Sequence, residues 1–376
     1  MTSKTADGYL PSLTALRGVA AVWVMLFHID VSLFYRDLGP LVPHAWTGLI
    51  TSGYLWVDFF FILSGFVIAH VYGDDFAGGV RLRSAFGYLK ARFFRIYPLH
   101  LFTLLLLIAF ARWVAASQPS LVDGSVESFF ADKALPSNFL LTNAMNQHVY
   151  LSWNIVSWSI GAEWWTYFIG VGLLAATGRT WRGALLLIGG YVLLVGLVLL
   201  RPAGNLDITF DYGFFRCLFG FTMGVGLHAL YRRGWARAWL ASDAAVAAVL
   251  PLLAMKFHWG WHDLVAPPLF AMLVLAGAYN QAGFARLMAA RLPQYLGRIS
   301  YSIYLMHGVW FMVFWTFLPR LKAAFHLERL PPAWSVAYAV LFVALSIGSA
   351  ALTYRLVEVP GRRLFRTRRT FAVASA

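Results

Sequence analysis

Residues 13–28 read "LTALRGVAAVWVMLFH", and the way this stretch is read decides the fold. It is apolar enough to lie in a bilayer, yet it holds Arg17 near one end and His28 near the other. An Arg at the centre of a spanning helix costs about 2.5–3.5 kcal/mol on insertion scales, so ionisable groups kept there point to function. The surrounding composition favours lipid over a soluble core. Of 376 residues, 60% are hydrophobic and 12% charged, where a soluble domain carries roughly 25% charged residues. Runs of about 20 apolar residues, each able to cross a hydrocarbon core of ~30 Å, recur along the chain.

The expected fold class is all-α: a polytopic membrane protein of about ten transmembrane helices. The spans are placed near 13–34, 50–72, 96–116, 154–177, 184–200, 212–231, 242–257, 264–279, 298–317 and 334–356. With the N-terminus inside, 21 Lys and Arg fall in inner segments and 7 in outer ones, while Arg112 and Arg216 lie within spans. This bias predicts that both termini are cytoplasmic, in a bacterial inner membrane. The first residues, "MTSKTADGYLPS", lack a signal-peptide core, so the first run is expected to remain as a span. A single integral domain is expected over 1–376, ending in a basic tail at 357–376.

The net charge of +14 sits in short loops rather than on a basic soluble domain, so nucleic acid is not an expected partner. Cys217 is the only cysteine, which excludes an intrachain disulfide and a Cys-rich metal site. No metal is expected. His258 and His262 in "HWGWH" are four apart but lack a third ligand. The longest segment between spans, about 117–153, is partly apolar and is expected to fold back over the membrane face.

Ionisable residues within the spans are few, so their depths carry information. Arg17 and His28 are about three turns and ~16 Å apart on one helical face. At ~1.5 Å per residue, His28, Asp58 in "LWVDFFFILSGF", Glu163 in "SWSIGAEWWTYF" and His307 in "ISYSIYLMHGVW" share the middle third to outer half. Four titratable groups at similar depth on four helices are placed to line one cavity. His28 is read as functional, because a neutral imidazole at depth suits a general base. His307 is either functional or a hydrogen-bonding link between helices. Glu163 either acts chemically or accepts from neighbouring indoles. Asp58 is read as a supporting partner for a His or an Arg.

A basic cluster, "YLKARFFRIYPLH", spans residues 88–100. It is read as a segment on the inner leaflet, with Pro98 in the first turn of the next span. Arg92 and Arg95 share a helical face. They are either an anchor on anionic lipid or a phosphate-binding pair. Arg216 in "FFRCLFGFTMGVG" lies within a span and needs an anion, water or carbonyls, whereas Gly220, Gly224 and Gly226 signal close helix approach.

Taken in order, "LTALRGVAAVWVMLFH", "VDFFFILSGFVI", "ARFFRIYP", "SWSIGAEWWTY", "ISYSIYLMHG" and "YRLVEVPGRRL" resemble the blocks of the acyltransferase-3 family of integral-membrane acyltransferases. The resemblance runs from Leu13 to Leu364, with Trp56 where the family usually has Gly. It implies transfer of an acyl group, usually acetyl, from cytoplasmic acyl-CoA to a hydroxyl, usually on a carbohydrate or a related small molecule; the expected partner is a carbohydrate or lipid-linked glycan acceptor. Acetyl-CoA is thus the implied co-substrate. The first-span motif maps onto Arg17 and His28, with His28 in the implied catalytic position, and Arg92 and Arg95 take the implied donor-binding positions; Arg17 is expected to join them in donor binding at the inner face. Asp58 or Glu163 would orient the imidazole, as a carboxylate does in a catalytic triad. Glu163, Tyr301, Ser302, Tyr304 and His307 stand at further motif positions, and Arg216 is a further site candidate. The rival readings are a proton-coupled secondary transporter, using the buried groups as a relay, and a polysaccharide-export partner.

Overall fold

The computed structural model describes residues 9–176 and 180–364. Every regular element among them is helical. The expectations for Lys4, Arg179, Arg366, Arg368 and Arg369, for most of the tail at 357–376, and for the end of the fourth span fall outside the described residues. Helix α1 (Pro11–Phe34) starts on a proline, whose missing N–H is unpaired in a first turn anyway. The face carrying Pro11 is called proximal below, and the face carrying Phe34 distal. The chain then alternates through α2 (Trp56–Phe76), α3 (Leu82–Ser117), α4 (Trp158–Ala176), α5 (Thr180–Leu199) and α6 (Gly213–Arg232). It continues through α7 (Asp243–His258), α8 (Ala266–Tyr279), the short proximal α9 (Arg291–Arg298), α10 (Ser300–Ala324) and α11 (Pro332–Thr353). A π turn at Tyr354–Glu358 joins α11 to a last helical turn, Val359–Arg363.

Among the described residues, seven helices are long and apolar enough to cross a membrane. They coincide with seven of the ten expected spans, the exceptions being 154–177, 242–257 and 264–279. In α4, Trp158, Ser159, Glu163, Trp164, Trp165 and Tyr167 dilute the apolar run. Helices α7 and α8, with 16 and 14 residues, reach about 24 and 21 Å, short of a ~30 Å core.

Two boundaries differ from the sequence reading. Helix α5 begins at Thr180 rather than near 184, giving it 20 residues. Helix α3 is one 36-residue helix that runs through Pro98, rather than a surface segment followed by a span. An interior proline costs ~3 kcal/mol or more. Here α3 is docked against α4, α10 and the terminal turn, and Gly361 sits so close that a Cβ there would lie 2.9 Å from the Pro98 ring.

Helix α6 packs against α2, α4 and α5. Lipid tails are as apolar as the helices, so association rests on close packing and polar contacts. Small residues supply that fit. A Cβ at Gly224 would lie 2.0 Å from Ile62 O on α2, and one at Gly226 would lie 2.5 Å from Gly183 O on α5.

The segment between α3 and α4 does fold back over the distal face. Its short helix Gly124–Phe129 is capped by Asp123, which accepts from Val126 N at 2.9 Å. Asp123 is also clasped by Arg36 from beyond the end of α1, at 2.5 Å. The Arg36 guanidinium lies over the Trp315 ring at 4.3 Å, and the Trp315 indole N–H donates to Ser125 at 3.0 Å.

Candidate active site

Five helices, α1, α2, α3, α4 and α10, surround a cavity of about 150 Å³. Arg17, Arg92, Arg95 and Glu163 line it, together with Ser159, Tyr301 and Tyr304. The helical repeat places these side chains inward. On α3, Arg92, Arg95 and Ile96 occupy one face, and on α2, Phe60, Ser64, Val67 and Ile68 follow the three- and four-residue spacing of a single stripe.

The three arginines are held differently. Arg17 donates through Nη2 to Gly297 O at 3.0 Å, and Arg92 donates to the Tyr72 hydroxyl at 3.3 Å. The Nε–H groups of both are buried without a hydrogen-bond partner. Arg95, by contrast, is ion-paired to Glu358 at 2.6 Å. Glu163 accepts a hydrogen bond from Ser64.

One turn beyond the cavity, His28 and His307 meet. His28 Nδ1 lies 2.9 Å from Val24 O and 3.3 Å from His307 Nε2. His307 Nδ1 lies 3.1 Å from Ile303 O. A carbonyl oxygen only accepts, so each Nδ1 carries a proton, and each Nε2 holds a lone pair. That of His307 faces the N–H of His28. The Nε2 of His28 has no hydrogen-bond partner among the described residues, and its residue is only part-buried. Phe27 and Phe311 pack against the same imidazole, with centroids at 5.0 and 5.7 Å.

His28 does not itself line the cavity. Tyr304, which does line it, shares a 2.8 Å hydrogen bond with Ser159. Its ring packs edge-on against His307 at 5.5 Å and against Phe60 at 5.9 Å.

The sequence-derived candidates therefore separate into groups. His28 and His307 come together, with Tyr304 beside them. Arg17, Arg92, Arg95, Glu163 and Tyr301 share the cavity. Asp58 stands apart: both its oxygens accept from Arg216, at 3.0 and 2.7 Å, and both residues are buried. Arg216 also donates to Ile208 O and Tyr54 O. Its need for an anion and carbonyls is thus met within the protein. Neither Asp58 nor Glu163 hydrogen-bonds to His28 among the described residues. Ser302 donates to Glu358 at 2.5 Å.

Two residues near the site were not singled out from the sequence. Glu358, buried, joins Arg95, Arg362 and Ser302; its signal was the acidic residue within an otherwise basic closing block. Asn154, also buried, donates to Thr103 on α3 and to Leu305 O on α10. It tethers the two helices a turn from His307, and a polar residue opening the Trp-rich block was its signal.

The sequence model of the acyltransferase-3 family, described as an acyltransferase domain, matches residues 10–352. The chain belongs to this family. The acyltransferase MdmB of Streptomyces mycarofaciens is 28% identical over 97% of this chain and 95% of its own length. Protein 2 in the picA locus of Rhizobium radiobacter is 41% identical over 26% of this chain and 44% of its own length. No solved structure matches. Family membership, with seven apolar helices of spanning length, makes this an integral-membrane member of an acyltransferase family and does not favour the transporter reading.

Proposed function

We propose that the protein is an O-acyltransferase that moves an acyl group, acetyl in the simplest case, from acyl-CoA to a hydroxyl of a carbohydrate or lipid-linked glycan. The observation that carries this reading is the unpartnered Nε2 of His28, on a ring anchored at Nδ1 and meeting His307, which lies one turn past Tyr304 in the lining of a guanidinium-bearing cavity. A hydroxyl is a poor nucleophile at its free pKa and needs a base within hydrogen-bond reach.

In this mechanism His28 Nε2 takes the acceptor's proton as its oxygen attacks the thioester carbonyl. The new C–O bond forms, the C–S bond breaks, and the imidazolium returns the proton to the departing thiolate. His307 is a positioning residue: its Nε2 lone pair steadies the Nδ1–H of His28 while the ring is charged. This replaces the carboxylate partner expected from the sequence. Arg17 and Arg92 hold donor phosphates, since their free N–H groups suit phosphate oxygens.

The proximal face is assigned to the cytoplasm by its excess of Lys and Arg, with α4, α7 and α8 completing ten spans in an inner membrane that thins locally around the short α7 and α8. Cys217 is buried, so single added cysteines report topology. Gln118→Cys is expected to label from outside intact cells and Gly234→Cys only after permeabilisation; the reverse pattern would overturn the orientation. For the reaction, purified protein with acetyl-CoA and a panel of carbohydrate acceptors should release thiol only when a competent acceptor is present. Solute uptake into vesicles without thiol release would refute the transferase.

A further inference from the structure

The cavity's three arginines look equivalent in the sequence, but their surroundings divide them. The π turn at Tyr354–Glu358 shifts the helical register just where α11 reaches α3 and buries the Glu358 carboxylate. There it takes Arg95 Nη1 at 2.6 Å, Ser302 Oγ at 2.5 Å, and Arg362. Arg95 is also held over the Tyr301 ring at 4.8 Å. That ring is itself fixed by a 2.6 Å hydrogen bond from its hydroxyl to Ile96 O.

Arg17 and Arg92 have no such counter-charge. Among the described residues a carbonyl and a phenol are their only hydrogen-bond acceptors, neither forms an ion pair, and their buried Nε–H groups are unmatched. Four guanidiniums, those of Arg17, Arg92, Arg95 and Arg362, face two carboxylates, those of Glu163 and Glu358. The surplus is two positive charges: one within the Arg95–Glu358–Arg362 cluster, and one among Arg17, Arg92 and Glu163, where both guanidiniums keep a free donor. A buried charge is tolerated only when it is paired, so the cavity is built for an anion.

We propose that Glu358 is a positioning residue that withdraws Arg95 from the anion site, leaving Arg17 and Arg92 as the seat for a phosphate group. This rests on the donor assignment made above and narrows it: Arg95 serves the architecture of the site, and Arg17 and Arg92 touch the ligand.

The test measures binding of two probes, coenzyme A and inorganic diphosphate, to the detergent-purified full chain over a range of salt. Arg92→Met should weaken both about 10- to 100-fold, the scale of one charged hydrogen bond. The paired change Arg95→Met with Glu358→Met removes one charge of each sign, and with Arg362→Met added, which removes the partner that Glu358 would otherwise leave behind, the folded variant should hold both affinities within about threefold. Glu358→Gln keeps the shape, frees Arg95 and raises the surplus to three. It should tighten both probes about tenfold with a steeper salt dependence, a gain that a purely structural role would not produce. Loss of affinity in that folded triple variant comparable to that of Arg92→Met, or weaker binding in a folded Glu358→Gln, would overturn the proposal. If coenzyme A fails to bind while diphosphate follows the expected pattern, the donor reading falls and this division of the arginines stands. If the wild-type chain binds neither probe, both fall.

Discussion

Replacing Asp58 by Asn tests whether this carboxylate serves architecture or chemistry. Arg216 is fully buried and directs two of its hydrogen bonds to Asp58, at 3.0 and 2.7 Å. Asn keeps the volume but removes the counter-charge and turns one acceptor into a donor facing a guanidinium. Opposite charges ~4 Å apart interact by about 4 kcal/mol at an effective dielectric of ~20. Losing one member of a buried pair costs about 3–5 kcal/mol, against a total stability of roughly 5–15 kcal/mol for a folded protein. In thermal melts of detergent-solubilised protein, Asp58→Asn should therefore show a large fall in midpoint. The double change Asp58→Leu with Arg216→Met should recover most of it, because the charge is removed along with its partner. The pH profile of thiol release by the folded fraction of Asp58→Asn should keep its shape. A variant that melts like the wild type while its rate profile shifts along the pH axis would refute this reasoning and return Asp58 to the base.

Three further outcomes follow from the geometry. His307→Ala should slow thiol release about 10- to 100-fold with little change in donor KM, and His307→Gln, whose carbonyl can accept from His28, should recover part of the rate; equal loss in both would remove His307 from its positioning role. Burial pushes the Asp123 carboxyl up, but hydrogen bonds from Ser125, Arg36 and Val126 N–H outweigh this and hold it below its ordinary value; the clasp's contribution is therefore full above pH ~4 and fades as pH falls through the lowered value. Hydrogen exchange in segment 119–139 should rise on acidification below about pH 4, and in Asp123→Asn it should already be high at neutral pH. Gly224→Val places atoms against Ile62 O, which a Cβ would approach to 2.0 Å, whereas Gly196 has open space around it; thermal melts should show the first change severely destabilising and Gly196→Ala near neutral.

The sequence carried much of the fold because lipid imposes a simple rule: backbone polar groups must be satisfied within each segment, so long apolar runs become helices. The same rule weakens for α4, α7 and α8, where aromatic and polar residues or short length blur the run. At the site, depth was legible and direction was not. Counting residues put His28 and His307 at one level, but side-chain azimuth depends on how α1 and α10 rotate against each other. Asp58 shared that level too, yet it turns to Arg216 on α6. The continuity of α3 through Pro98 was hidden because the compensating contacts come from residues as remote as Gly361. Glu358 was obscured for a similar reason: a π turn changes which face a residue presents, and nothing local in "YRLVEVP" announces it.

The central claim is that His28 Nε2 is the base. It is tested most directly by comparing acceptor-dependent thiol release from acetyl-CoA by the wild type and by His28→Gln, after matched melting temperatures and matched coenzyme A affinity have been verified. Loss of a positioned general base typically costs 10²- to 10⁴-fold, and a fall of about that size with donor binding intact is the expected result. A folded, donor-binding His28→Gln protein that releases thiol within about tenfold of the wild-type rate would contradict the account.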